Sequence, residues 1–241
     1  MTDNILEQGL AKLKLDTAGI PVFTKYIEEI ELFNGAYGLV KVRDRRELIV
    51  RHILDSLAPL PILRRLHSRP RIADVGSGAG LPGIPLALCM PDAEFTLIER
   101  MGRRAGFLRN TAAVLGLSNV KVEEAEMERI SPPACFDIVV FRAFRPLEPD
   151  IFKGLWRLLA EGGTLAAYKG RRQSLEEEMA GLLAAPKKGA FPSIGGWEAL
   201  PLEVPFLEEE RHLVLISAIS GQSARQPGDS GQDQNQNRQS I

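Results

Sequence analysis

The chain is short of the residues that build disulfide scaffolds and zinc sites. Cys89 and Cys135 are its two cysteines, far apart and without a C-x-x-C pattern, and it has three histidines in 241 residues; neither a disulfide framework nor a bound metal is expected. Long apolar runs are missing too. No stretch approaches the roughly 18 consecutive apolar residues that a membrane span needs. The start, Met1-Thr2-Asp3-Asn4, has neither the basic region nor the apolar core of a signal peptide, so a cytoplasmic location is expected. Neither sign of charge prevails, with 30 basic against 31 acidic residues, and the bulk composition therefore does not advertise a nucleic-acid partner.

The basic residues are nevertheless grouped. Arg43, Arg45, Arg46 and Arg51 form one cluster, Arg64, Arg65, Arg69 and Arg71 a second, and Arg100, Arg103, Arg104 and Arg109 a third. Any one of these reads as a solvated face balanced by acidic stretches such as Glu176–Glu178 and Glu208–Glu210.

Residues 1–66 read as a helical cap. Ile5, Leu6, Leu10 and Leu13 space one amphipathic helix, and Phe23, Tyr26, Ile27, Ile30, Phe33 and Tyr37 a second. Asp44 and Glu47 have capping-box spacing ahead of a third, whose stripe is Ile49, Ile53, Leu57 and Leu60. From residue 67 to 220 short apolar runs alternate with helical segments, the pattern of a mostly parallel α/β sheet. Strands are expected near 71–75, 94–98, 119–123, 136–141 and 164–168, with helices near 82–90, 101–115, 147–159 and 174–183. Two last apolar runs, 199–206 and 211–219, read as a closing antiparallel pair that completes seven strands. Residues 221–241 are Gln, Asn, Gly, Ser and Asp with almost nothing apolar, so they cannot offset their ordering entropy and are expected to be disordered.

The most informative segment is Asp74-Val75-Gly76-Ser77-Gly78-Ala79-Gly80-Leu81-Pro82-Gly83, read as strand, glycine loop and helix. Glycines at 76, 78 and 80 let a ligand approach the main chain and the helix N-terminus closely. Gly78 to Gly83 fits G-x-G-x-x-G, the dinucleotide fingerprint, which keeps a nicotinamide oxidoreductase or a non-catalytic cofactor module as alternatives. The acid at 74 and the tighter Gly76-x-Gly78-x-Gly80 spacing resemble instead the loop of S-adenosylmethionine-dependent methyltransferases. Glu99, at the end of the next apolar run, suits a ribose diol.

Ligands of such sheets bind beyond the carboxyl ends of the strands. Gly76, Glu99, Arg142 and Lys169 end four of the expected strands, so a glycine loop, an acid and two cations share one rim. Arg145, Arg171 and Arg172 lie close by in sequence.

Asn34-Gly35-Ala36-Tyr37, Val42-Arg43-Asp44, Arg51-His52-Ile53-Leu54-Asp55-Ser56-Leu57, Asp74 to Leu86, Arg142-Ala143-Phe144, Tyr168-Lys169-Gly170 and Arg211-His212-Leu213-Val214 occur in that order. In these segments the chain resembles the RsmG (GidB) family of bacterial ribosomal RNA guanine-N7 methyltransferases. The resemblance implies a Rossmann-like class I fold, S-adenosyl-L-methionine as cofactor, and 16S ribosomal RNA or the small ribosomal subunit as partner. By position it implies cofactor contacts at Gly76, Leu81, Met127, Glu128 and Arg142, to which the loop itself adds Gly78 and Gly80. The family usually has Asn-Leu-Thr where this chain has Gly38-Leu39-Val40, and Arg-Ala-Glu where it has Glu126-Met127-Glu128.

Methyl transfer to guanine N7 is an in-line displacement by a ring lone pair and needs alignment more than a general base. Arg142 and Lys169 are the expected catalytic, positioning residues, and Arg51, Arg145, Lys169 and Arg211 the expected RNA contacts. Arg51 and Asp55 have i,i+4 spacing. His52 and His212 are expected to be structural. Ser131-Pro132-Pro133 precedes the fourth strand and reads as a turn, and Cys135 as a small buried hydrophobe.

Overall fold

The computed structural model describes residues 3–142, 147–184 and 194–218. Its first third is helical. Helices α1 (Asp3–Lys12) and α2 (Ile20–Tyr37) are followed by α3 (Arg45–Leu48), a π-helical segment (Ile49–Leu54), α4 (Asp55–Leu57) and α5 (Leu60–Leu66). The Asp44 carboxylate accepts from the Glu47 amide at 2.7 Å, as a capping residue should. Glu47 reaches back to the amide of Arg43, one residue earlier than in a standard capping box. The single third helix expected from the stripe is instead this composite, with wider turns over 49–54 and an interruption before Leu60 at Pro59, whose ring cannot continue the hydrogen-bond ladder.

The remaining elements alternate as β1 (Arg71–Val75), α6 (Gly83–Cys89), β2 (Glu94–Ile98), α7 (Gly102–Val114), β3 (Val120–Glu123), β4 (Phe136–Arg142), α8 (Pro149–Leu158), β5 (Leu159–Lys169), α9 (Arg172–Ala184), β6 (Ile194–Leu202) and β7 (Arg211–Ala218). They build one seven-stranded sheet in the order β3-β2-β1-β4-β5-β7-β6. The first five strands run parallel; β7 is antiparallel to both β5 and β6. This is the mostly parallel, Rossmann-like sheet expected from the alternation.

Two strands depart from expectation. β5 starts at Leu159, directly after α8, with a left-handed Gly162 and a shifted register against β4 between Phe136 and Ile138. The penultimate strand covers Ile194–Leu202 rather than 199–206. Val204, Phe206 and Leu207 are apolar because they pack on the helical cap, not because they belong to the sheet.

Cap and sheet share a core. Tyr26, Ile27, Ile30, Ile49 and Ile53 lie in one apolar cluster with Ala79, Leu81, Ile84, Leu97 and Leu108. Burial of each large apolar side chain there contributes about 1.5–3 kcal/mol. The Tyr168 hydroxyl on β5 donates to the Ser56 carbonyl of the cap at 2.9 Å. The expected disordered segment 221–241 lies outside the described residues.

Candidate active site

The glycine loop leaves β1 and is fastened at three points. Gly76 and Ser77 donate their amides to the carbonyl of Ile98 at 2.9 and 3.2 Å, tying the loop to the end of β2. Glu99 accepts from the Gly78 amide at 3.0 Å and from the Met101 amide at 2.8 Å. From the cap, the Tyr26 hydroxyl donates to the Ala79 carbonyl at 2.8 Å. Gly80 has φ +89°, and a Cβ there would meet Ile84 at 2.4 Å, so both backbone and packing demand glycine.

Asp74 lies beneath the loop, with no exposed surface. One oxygen accepts from the Gly83 amide at 3.0 Å; the other is buried without a partner. Burial pushes its pKa up to about 6, against the opposing pull of the Gly83 amide and Arg142.

Around this loop is a cleft with two lobes that meet at Gly76 and Arg104. The smaller, about 350 Å³, is lined by Gly76, Glu99, Met101, Met127 and Glu128 among others. The larger, about 940 Å³, includes Gly78, Leu81, His52, Arg142, Lys169 and Arg211. Both volumes lie within the range of small-molecule sites. Gly80, in the same loop, touches the core rather than the cleft.

In the larger lobe the cations are held by acids. Asp55, 5% exposed, accepts from Arg142 at 2.9 Å through one oxygen and from Arg211 at 3.1 Å through the other. Arg142 also donates to the Arg51 carbonyl at 3.1 Å and faces Nδ1 of His52 at 3.0 Å. Lys169 is chelated by both Glu178 oxygens at 2.7 and 2.9 Å. The expected Arg51–Asp55 pair does not form. Through the π-helical turns Arg51 pairs instead with Glu47 and Glu209, leaving Asp55 to the two other arginines. Burial, then the charge of Arg142, lowers the His52 pKa to about 4.

The expected turn Ser131-Pro132-Pro133 and Cys135 lie at the opposite, amino end of β4, in a hollow with Arg71 and Glu94. His212 is buried, with Nδ1 2.7 Å from the Gly170 carbonyl. Arg145 lies outside the described residues.

The rRNA small subunit methyltransferase G family matches this chain over residues 20–189. The chain belongs to that family. It is 39% identical over 215 residues to ribosomal RNA small subunit methyltransferase G of Stenotrophomonas maltophilia, covering 88% of this chain and 93% of the relative. The protein of the same name from Treponema pallidum is 38% identical over 219 residues, covering 88% and 92%. Among solved structures, an S-adenosyl-L-methionine-dependent methyltransferase from Methanococcus maripaludis superposes with TM-score 0.57 at 15% identity, covering 83% of this chain and 94% of its own. A predicted O-methyltransferase from Agrobacterium tumefaciens gives TM-score 0.51 at 26% identity, covering 70% and 80%. The chain is therefore an S-adenosyl-L-methionine-dependent ribosomal RNA methyltransferase, and the oxidoreductase and inert-module alternatives fall away.

The cleft suits that cofactor on its own terms. The left-handed Gly78, with only the Gly76 carbonyl near a Cβ built on it, and the Glu99 carboxylate at the end of β2 put open backbone and a polar group where a nucleoside would lie. The departure at Gly38-Leu39-Val40 leaves the end of α2 satisfied: Gly38 is left-handed, its carbonyl accepts from Arg104 at 2.8 Å, and the Val40 amide donates to Asn34 at 2.9 Å. In the other departure, Met127 is buried and its methyl lies where a Cβ on Gly154 would fall.

Asp55, Tyr26, Arg104 and Glu178 were not expected at the site. The Arg51-to-Leu57 segment did contain the signal for Asp55, but i,i+4 spacing pointed to the wrong arginine.

Proposed function

We propose that the protein transfers a methyl group from S-adenosyl-L-methionine to N7 of a guanine in 16S ribosomal RNA, as naked RNA or within the small subunit. The observation that carries this reading is that, among the described residues, no acid or histidine in the larger lobe is poised as a general base. Asp55 and Glu178 are occupied by cations, and His52 takes its hydrogen bond from Arg142. That environment suits a nucleophile with no proton to lose. When bound, S-adenosyl-L-methionine supplies an electrophilic methyl group on a sulfonium, which departs as a neutral thioether.

In this reading Gly76, Gly78, Gly80, Leu81, Glu99, Met127 and Glu128 shape the cofactor side of the cleft, Gly80 by setting the turn. Glu99 both fixes Gly78 and offers its carboxylate to a ribose. Arg142 and Lys169, held by Asp55 and Glu178, position the reacting groups. Arg51, Arg211 and Lys169 at the larger lobe, with Arg145, take RNA phosphates. Cap 1–66 and sheet 67–220 act as one unit, a reading supported by the Tyr26–Ala79, Tyr168–Ser56 and Arg142–Asp55 bonds. No helix among the described residues is long and apolar enough to cross a membrane; the place of action is the cytoplasm, with the ribosomal particles.

Mass mapping of modified nucleosides in small-subunit RNA, from cells with and without this gene, tests the reading. A single missing 7-methylguanosine is expected. An unchanged modification map would overturn it.

A further inference from the structure

His52 sits at the junction of cap and sheet, and its two ring nitrogens differ. Nδ1 lies 3.0 Å from a terminal nitrogen of Arg142. A guanidinium can only donate, so Nδ1 must accept, and the neutral ring carries its proton on Nε2. Arg142 is itself held by the Asp55 carboxylate at 2.9 Å and the Arg51 carbonyl at 3.1 Å, which fixes the direction of its donation. The Nε2–H makes no hydrogen bond to the protein and is not sealed in the interior, and the ring lines the larger lobe beside Arg142, Leu81 and Lys169. The result is an uncharged N–H donor of fixed tautomer, open to the cleft.

The proposed N7 chemistry gives that donor a partner. The major-groove edge of guanine carries two acceptors, N7 and O6, whereas adenine has an N6 amino donor in place of O6. With N7 turned toward the transferred methyl group, O6 is the acceptor left on that edge. We infer that His52 reads O6 of the target guanine through Nε2–H, and so selects guanine over adenine. An adenine amino group there would face a second donor, leaving both unpaired in a desolvated site. A neutral donor has a further advantage over an arginine, because the methylated purine carries a positive charge that an imidazole N–H does not repel. Arg142 then acts as a positioning residue for His52.

This inference rests on the guanine-N7 reading, and the test keeps the two apart. Single-turnover methylation is measured on small-subunit RNA with guanine, or with 2-aminopurine, at the target position. 2-Aminopurine keeps N7 and lacks O6, and intrinsic differences in N7 reactivity cancel when variant and wild type are compared on the same base. His52→Ala is expected to lose roughly tenfold or more on guanine and less than about twofold on 2-aminopurine, the size of one hydrogen bond in a desolvated site. His52→Gln, whose amide NH₂ reaches the place of Nε2, should retain most of the preference for guanine; if the alanine variant fails to fold, His52→Phe, a ring of similar size with no N–H, takes its place with the same expected losses. Calorimetry with S-adenosylhomocysteine should show unchanged cofactor affinity in both variants. Equal losses on the two bases, or no loss on guanine, would overturn the role of His52. A wild-type product other than 7-methylguanosine, identified by borohydride and aniline cleavage, would overturn the N7 reading and this inference with it.

Discussion

Tyr26, on the second helix of the cap, donates its hydroxyl to the Ala79 carbonyl in the glycine loop, 2.8 Å away. Both partners are buried, at 0% and 3% exposure. A side chain from outside the sheet thus holds a carbonyl that would otherwise be buried without a donor, in the loop that faces the cofactor cleft.

Removing that hydroxyl should loosen the loop while keeping the packing. Tyr26→Phe is expected to cost about 1–3 kcal/mol of unfolding free energy, the penalty for a buried acceptor left without a donor. Cofactor affinity should fall with it. Denaturant unfolding and calorimetry with S-adenosylhomocysteine check this, and wild-type values in both would mean that the bond does not hold the loop.

Asp74 should make stability fall as pH rises. Its folded pKa, about 6, lies above the ordinary value of 3.8 because burial penalises the carboxylate. The folded state therefore keeps its proton more tightly than the unfolded chain. That contribution is fully present below about pH 4 and is lost as pH passes 6. Over the window wild type should lose about 3 kcal/mol relative to Asp74→Asn. Unfolding measured for both proteins at pH 4, 5, 6 and 7 tests the slope; a constant difference would mean that Asp74 does not titrate there.

Arg142 serves three acceptors from two separate nitrogens of its planar fork, a geometry that the single nitrogen of a lysine does not reproduce. Its side chain is 13% exposed and that of Asp55 7%, so Arg142→Ala strands a buried carboxylate with Arg211 alone. The expected cost is about 3 kcal/mol, the low end for breaking a buried pair. Arg142→Lys should restore part of the stability and little of the methylation rate, because a point charge does not reproduce a planar fork. A wild-type single-turnover rate in the lysine variant would remove Arg142 from the positioning machinery.

RNA binding should weaken steeply as salt rises, and cofactor binding should not. Arg51, on the larger lobe and half-exposed, is held by acidic partners that solvent screens. Arg51→Ala is expected to lower the salt slope of RNA binding by about one, the signature of a lost phosphate contact. An unchanged slope would return Arg51 to a surface ion pair.

The periodicity of the chain was enough to determine the helical cap, the parallel sheet and the glycine loop, because those depend on spacings of two, three and four residues along one segment. Near its end this reading failed: Val204 and Phe206 look like strand residues, yet their apolar character comes from the cap, a distant part of the chain. At the site, Gly76, Glu99, Arg142 and Lys169 could be placed on one rim because each terminates a strand and all four strands run the same way. Which charge meets which could not be read in that manner. Asp55 is four residues from Arg51, but the wider π-helical winding between them rotates it away. Only the packing of the cap against β4 and β7 brings it to Arg142 and Arg211, 87 and 156 residues further along the chain. Local spacing determined where the charged groups sit; tertiary packing decided their partners, since electrostatic pairing acts through space rather than along the sequence.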